Sequence, residues 1–323
     1  MTDLQEALIA SKGHIQAALC APVPGLHDMT SYLAQSTGKG IRALLLLTAA
    51  TNAEGEVPDD APYAAAAIEL LHMATLVHDD VIDDASTRRG LPALHQKFDT
   101  KSAVICGDYL LSQSMLLFAN MEIAHFDHAE DRAALVSRVS KALSAICRGE
   151  YTQHMNTGNL DIDLLTYLRI ISGKTAALFS VAAYAGAVIG GESAKTAQDL
   201  GRFGRYLGMA FQIADDCKDY EWTQEQAQKP VGNDIKSGVI TLPLILAIQK
   251  NPDLRTVAQE VMMTQKDIGD FLQSIRESGG SKAAEDLAKR YVLRATRALE
   301  NLLPSKREAM LKVLQHAKLG VAS

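Results

Sequence analysis

The run AAAAIELLHMATLVH, residues 64–78, sets the first constraint on the fold. Its apolar residues recur at helical spacing over a length too great for a strand. Windows such as DRAALVSRVSKALSAICRGEYTQHM and AAEDLAKRYVLRATRALENLL repeat that period, while alternating β-branched runs and Asn-Gly hairpin turns are lacking. Gly, Pro and polar clusters predict loops near 55–62, 89–95, 224–233 and 250–254. No low-complexity linker divides the chain. The pattern predicts an all-α fold, one domain of ten or more helices over residues 1–323.

The same run ends in an unusual way. Asp79, Asp80, Asp83 and Asp84 follow it directly, and Arg88 and Arg89 come just after. Like charges at i,i+4 on a helix repel by roughly 0.2–0.5 kcal/mol per pair, so such a cluster calls for a counter-charge. GMAFQIADDCKDY, residues 208–220, repeats the spacing at Asp215, Asp216 and Asp219, again after an apolar helical run. On a helix, His72, Thr75, Asp79 and Asp83 share one face, and so do Gly208, Gln212, Asp215 and Asp219. Each is a polar stripe on an otherwise apolar helix, the pattern of a helix lining an internal cavity. Carboxylates at i,i+4 on two such helices suit Mg²⁺, which takes oxygen ligands and is held by a few carboxylates plus substrate phosphates. A solvated acidic helix end explains one such cluster as well, but two copies in the same setting favour the metal. The glycine and terminal glutamate of an EF-hand loop are missing.

A net charge of -6 and 22% charged residues exclude a broad nucleic-acid footprint, so any phosphate site must be local. Lys39 and Arg42 sit i,i+3 at the start of an apolar helix, and Lys229 lies in the loop after the second cluster. Lys174 is the only charge in a long apolar run and needs a counter-ion. A diphosphate bridged by Mg²⁺ satisfies both the acids and these bases. The four cysteines form no CxxC, as expected of reduced thiols rather than a disulfide or zinc scaffold. The N-terminus lacks the pattern of a signal peptide. Residues 175–191 are the best membrane candidate, but they fall short of the roughly 20 apolar residues a span needs and read as a packed core helix.

At this point the chain resembles the trans-isoprenyl diphosphate synthases, or polyprenyl synthetases. The likeness runs from about residue 30 to the C-terminal helices, on GKGIR (38–42), ELLHMATLVHDDVIDDASTRRG (69–90), CGDYLL (106–111), GKT (173–175), GMAFQIADDCKDY and KPVGNDIKSGVITLPLI (229–245). It is nearest to the catalytic component of bacterial heptaprenyl diphosphate synthases. The resemblance implies an isoprenoid-synthase bundle around a central cavity. It assigns Asp79, Asp83, Asp215, Asp216 and Asp219 to Mg²⁺, with Asp80 in support, and about three Mg²⁺ per site, for which Mn²⁺ can substitute. It places Arg88, Lys174, Thr175, Gln212 and Lys229 at an allylic diphosphate, and Lys39, Arg42, His72 and Arg89 at isopentenyl diphosphate. Asp79, Asp80, Asp83, Lys174 and Asp215 carry the catalysis. The family pattern has a basic residue where Gly40 and Leu91 stand here.

The resemblance further implies a cytoplasmic enzyme, a homodimer or a heterodimer with a small accessory subunit. It would touch membrane transiently to release a polyprenyl diphosphate for quinone side chains. One helical turn, ~5.4 Å, is comparable to an isoprene unit, and Ala74 and Thr75 are small where short-product relatives carry an aromatic, so a C30–C40 product is expected. Five other readings compete. A short-chain synthase differs only in product, one subunit reading is active only with a partner chain, and another is a non-catalytic interaction subunit, against which the retention of both aspartate motifs speaks. A terpene cyclase needs no second diphosphate site, and an HD phosphohydrolase would use His78-Asp79 while leaving the second cluster unexplained.

Overall fold

The computed structural model describes residues 1–20, 23–35, 38–121, 129–221, 232–264 and 268–319. More than ten helices are found among them, as the apolar periodicity predicted, and the chain divides into two compact units. The first comprises residues 1–138, 181–201 and 301–313, the second 139–180, 202–300 and 314–323.

In the first unit, helix α4 (Ala61–Ile82) is packed against α1 (Leu4–Leu19), α3 (Ile41–Ala50) and α6 (Thr100–Ala119). Pro62 starts α4 where a missing N–H costs nothing, and four successive alanines, Ala64 to Ala67, follow with the best helix propensity. All four are fully buried, so neighbouring helices approach closely, and Ser114 of α6 donates a hydrogen bond to the Ala67 carbonyl at 2.8 Å. Gly186 and Gly190 bring residues 181–201 against α3. A Cβ on Gly190 would stand 2.5 Å from the Ala50 carbonyl oxygen. The C-terminal end of α3 is tied down by Lys306, which donates to the Ala49 carbonyl at 2.7 Å and pairs with Glu192 at 3.1 Å.

One predicted loop is a hairpin. Thr87–Arg88 and Leu91–Pro92 form an antiparallel pair, β1 and β2, closed by Arg89 and Gly90 with φ of 52° and 81°. Two left-handed residues are what a two-residue hairpin turn requires. The sequence concealed it because arginine, unlike asparagine, is a poor signal for that conformation.

In the second unit, α8 (Leu164–Ile171) runs into a π-helical turn at Ser172–Ala176, continued by α9 (Ala177–Ile189). Glycines let the backbone close around that turn. A Cβ on Gly149 of α7 (Ala129–Met155) would lie 2.6 Å from the Lys174 amide nitrogen, and one on Gly173 2.5 Å from the Ala145 carbonyl oxygen. Gly208 of α10 (Ala194–Glu221) is as tight, 2.7 Å from the Ala176 Cα. π-turns inside α-helices recur at functional sites. Among the described residues, two helices are long and apolar enough to cross a membrane. The apolar 18-residue window of Leu164–Ile189 is 72% buried, as in a core helix, whereas that of Thr100–Ala119 is only 33% buried.

Candidate functional site

The first aspartate triplet occupies the last turns of α4. Asp80 turns inward and is buried, and Arg88 of β1 donates from Nε to both of its carboxylate oxygens at 2.9 and 3.1 Å. Burial alone would lower the Arg88 pKa. The hydrogen bond and charge of Asp80, with Asp79 and Asp83 behind it, outweigh burial and raise it. Asp83 is exposed at the helix end and Asp79 is half-buried. The next-door His78 faces α6 instead: its Nε2 lies 3.2 Å from the Val104 carbonyl and 3.4 Å from Asp108, and a Cβ on Gly107 would overlap its ring. His78 is thereby committed to helix packing and not to an HD dyad with Asp79.

A basic group forms in the same unit. Arg89 lies over Gly38, where a Cβ would come within 2.6 Å of its Nη2, so the glycine makes room for the guanidinium. Burial pulls the Arg42 pKa down to about 10. The His72 pKa is held well below its usual value by burial first and then by Arg42, Arg89 and Arg88, which leaves a neutral imidazole. The structure therefore gathers Arg42, His72 and Arg89, while Lys39 stands exposed at the surface.

The second triplet lies at the end of α10, in the second unit. Asp215 is exposed and pairs with Lys218 at 2.9 Å. Asp216 is buried, accepting from the Tyr167 hydroxyl at 2.5 Å and from Gln212 Nε2 at 2.7 Å. Thr175 completes the chain by donating to Gln212 Oε1 at 2.6 Å. Burial, with Asp215 and Asp219 adding, pushes the Asp216 pKa up to about 7. Asp219 accepts the backbone N–H groups of Gly232 at 3.1 Å and Asp234 at 3.0 Å, fixing the start of the short helix Asn233–Lys236. Burial together with Asp216 and Asp219 raises the Asp234 pKa well above the carboxylate range.

Lys174 has a counter-ion within the fold: Glu150 of α7 stands 2.7 Å from its Nζ with little exposure of either side chain. The sequence hid this pair because the acid is 24 residues away on another helix. Tyr167, Asp234 and Glu150 were all missed. Each lies far in sequence from the residue it serves, so no helical period pointed to it. Lys229 lies outside the described residues.

Among the described residues, no three His, Cys, Asp or Glu side chains are gathered into a ready-made metal cage. The donors nevertheless suit a hard cation in each unit: Asp79 and Asp83 in the first and Asp215 in the second offer only oxygen, and Asp83 and Asp215 are solvent-exposed. Mg²⁺ commonly completes its shell with water and phosphate rather than protein alone.

The polyprenyl synthetase family matches residues 23–277. Heptaprenyl diphosphate synthase component 2 of Bacillus subtilis is 34% identical over 281 residues, 86% of this chain and 78% of that protein. Among solved structures, a polyprenyl synthase from Caulobacter crescentus CB15, complexed with calcium and isoprenyl diphosphate, superposes with a TM-score of 0.87 at 30% identity, covering 97% of this chain and 94% of that one. A geranylgeranyl pyrophosphate synthetase from Pyrococcus horikoshii Ot3 gives a TM-score of 0.88 at 29% identity, covering 98% and 96%.

Proposed function

The chain belongs to the polyprenyl synthetase family, and from that premise we propose that it condenses isopentenyl diphosphate with an allylic diphosphate into a long all-trans polyprenyl diphosphate. It is a prenyltransferase acting on isoprenoid diphosphates. The observation that carries the fuller reading is the shared design of the two triplets: in each, the first aspartate is available to solvent and the second is buried and anchored. Asp79, Asp83 and Asp215 would hold Mg²⁺, which supplies charge stabilisation of a departing diphosphate. Arg88, Lys174, Thr175 and Gln212 orient the allylic diphosphate, together with Lys229. Arg42, His72 and Arg89 bind isopentenyl diphosphate, with Lys39 reaching in from the surface. Asp216 and Asp219 act from behind, one inside a hydrogen-bond network and one as a backbone clamp. The divalent cation and isoprenyl diphosphate in the Caulobacter structure support this assignment.

The whole chain acts as one polyprenyl synthetase domain, in support of which the family match runs through residues of both compact units. A second chain completes the enzyme, either another copy or a small accessory subunit. The Bacillus relative is called a component, and α6 here exposes Val104, Ile105 and Leu116. The site of action is cytoplasmic, which suits four cysteines that form no disulfide. A short-chain product is the second reading, favoured by the geranylgeranyl synthetase likeness. The test is turnover of the purified chain with both diphosphates and Mg²⁺, with and without chelator, and with product length determined. Activity without a divalent cation would overturn the metal assignment, and a product of twenty carbons or fewer the long-chain one.

A further inference from the structure

The N-terminus of α3 has no cap of its own. Gly40 precedes it in a left-handed conformation and offers no side chain to the first-turn N–H groups. The cap comes from elsewhere: the Ala43 amide donates to Glu69 Oε1 of α4 at 2.9 Å. That bond places a carboxylate beside Arg42, which neighbours Ala43 in sequence. Glu69 also lies one helical turn before His72 on α4, and so extends the polar stripe of His72, Thr75, Asp79 and Asp83 toward the helix start. Arg89 reaches the same region, its guanidinium seated on Gly38 just ahead of α3.

Two arginines brought together repel, and the hairpin adds Arg88 as a third. Arg88 has its own partner in Asp80. Glu69 is the acid whose charge acts on both others: it supports the protonated forms of Arg42 and Arg89 against burial, which lowers both.

We propose that Glu69 is a positioning residue for the isopentenyl diphosphate site: one carboxylate that caps α3 and draws Arg42 and Arg89 into convergence before any diphosphate arrives. This rests on the assignment of Arg42 and Arg89 to that substrate. Glu69 touches neither substrate nor reacting atoms. Its effect passes through the two guanidinium groups, which repel each other. Preorganised donors lose less freedom on binding, so the effect belongs in affinity for one substrate.

The test separates capping from charge. Glu69→Gln retains an oxygen that can accept from the Ala43 amide and removes the negative charge, whereas Glu69→Ala removes both. Full-length variants are compared with wild type and with Arg89→Ala in steady-state assays varying each diphosphate, alongside thermal unfolding. Glu69→Gln is expected to raise KM for isopentenyl diphosphate about tenfold, to move KM for the allylic substrate less than twofold, and to lower kcat less than it raises that KM. Glu69→Ala should do the same and also melt at lower temperature. An unchanged or lower KM for isopentenyl diphosphate in Glu69→Gln overturns the proposal, since the carboxylate would then be neutral or a competitor of phosphate. If Arg89→Ala leaves that KM unchanged, the site assignment itself fails and the role of Glu69 fails with it. If Arg89→Ala raises it and Glu69→Gln does not, only the positioning role is lost.

Discussion

Two triplets with identical spacing, Asp79-Asp80-Asp83 and Asp215-Asp216-Asp219, solve the same problem with different chemistry. In each, the middle carboxylate is buried and must be compensated. Asp80 is compensated by a charge, the Arg88 guanidinium, whereas Asp216 is compensated by two neutral donors, Tyr167 and Gln212. The consequence is electrostatic. Arg88 is held protonated among three acids, while Asp216, facing Asp215 and Asp219 with no cation paired to it among the described residues, has its pKa lifted to about 7. Spacing alone therefore says where the carboxylates go and not what protonation state they keep.

On the proposed reading Asp79 and Asp215 are equivalent outward ligands. Asp79→Ala and Asp215→Ala should each lower turnover by a thousandfold or more, about 4 kcal/mol or above, because charge stabilisation of the leaving group is lost. Asp215 is exposed and its partner Lys218 is a surface residue, so unfolding of that variant should stay within about 0.5 kcal/mol of wild type. Near-normal turnover in one variant alone would break the equivalence of the two triplets.

The middle aspartates should differ in the other direction. Asp80→Asn leaves Arg88 without its paired charge and should cost about 2–3 kcal/mol of stability, discounted because the arginine is 39% exposed. Asp216→Asn places a neutral amide where the carboxyl is already half-protonated near pH 7, and should cost no more than about 1 kcal/mol. Urea unfolding of both variants at pH 7 measures the contrast. Equal costs would mean that the neutral network around Asp216 is no substitute for a charge.

How much of this was legible in the sequence follows from the range of each interaction. The stripes were readable because helical periodicity is local: His72, Thr75, Asp79 and Asp83 all fall on α4 or its cap, and Gln212, Asp215 and Asp219 on α10. The inward turn of Asp80 could be guessed only from RRG eight residues later. Glu150 for Lys174, Tyr167 for Asp216 and Glu69 for the Ala43 amide are partners joined by tertiary packing, at separations no period encodes. The π-turn at Ser172–Ala176 further rotates Lys174 and Thr175 relative to a continuous helix, so face arguments made through it go astray. Gly149, Gly173 and Gly208 were unremarkable as letters. Their role shows only in the carbonyls and amides that crowd them.

The same two regions differ in what surrounds them. Ala74, five residues before Asp79 on α4, is 2% exposed in an apolar cluster with Leu70, Val77, Ala103, Cys106 and Leu110. Ala74→Phe should shorten the product to about C15–C20 while turnover stays within a few fold, at a packing cost of about 1–3 kcal/mol as α6 gives way. Product chromatography decides it, and a wild-type product length would place the growing chain away from this face of α4. The equivalent position before Asp215 is Ala210, fully buried, and a large residue there should lower stability without changing product length.

The smallest effect concerns protons, and it tests whether the basic group near the first triplet is as crowded as it looks. His72 sits among Arg42, Arg89 and Arg88, with its pKa well below 6.5 in the folded chain, burial being the larger cause. In the unfolded chain it takes up a proton near pH 6.5; in the folded chain it does not. The unfolded state therefore binds more protons as pH falls below 6.5, and stability drops in that direction. For one histidine the loss between pH 7 and pH 5.5 is about 1 kcal/mol. His72→Gln keeps a polar side chain of similar reach and removes the titration, so its unfolding midpoint should fall less steeply over that window. Asp216 supplies the opposite sign in the second triplet: a carboxylate with a raised pKa favours the folded state at low pH and loses that advantage as pH rises toward 7. The His72→Gln slope should accordingly tilt toward greater stability at the acid end. A slope identical to wild type would mean that His72 is protonated in the folded chain despite its arginines, and that the first region is less positive than its neighbours imply.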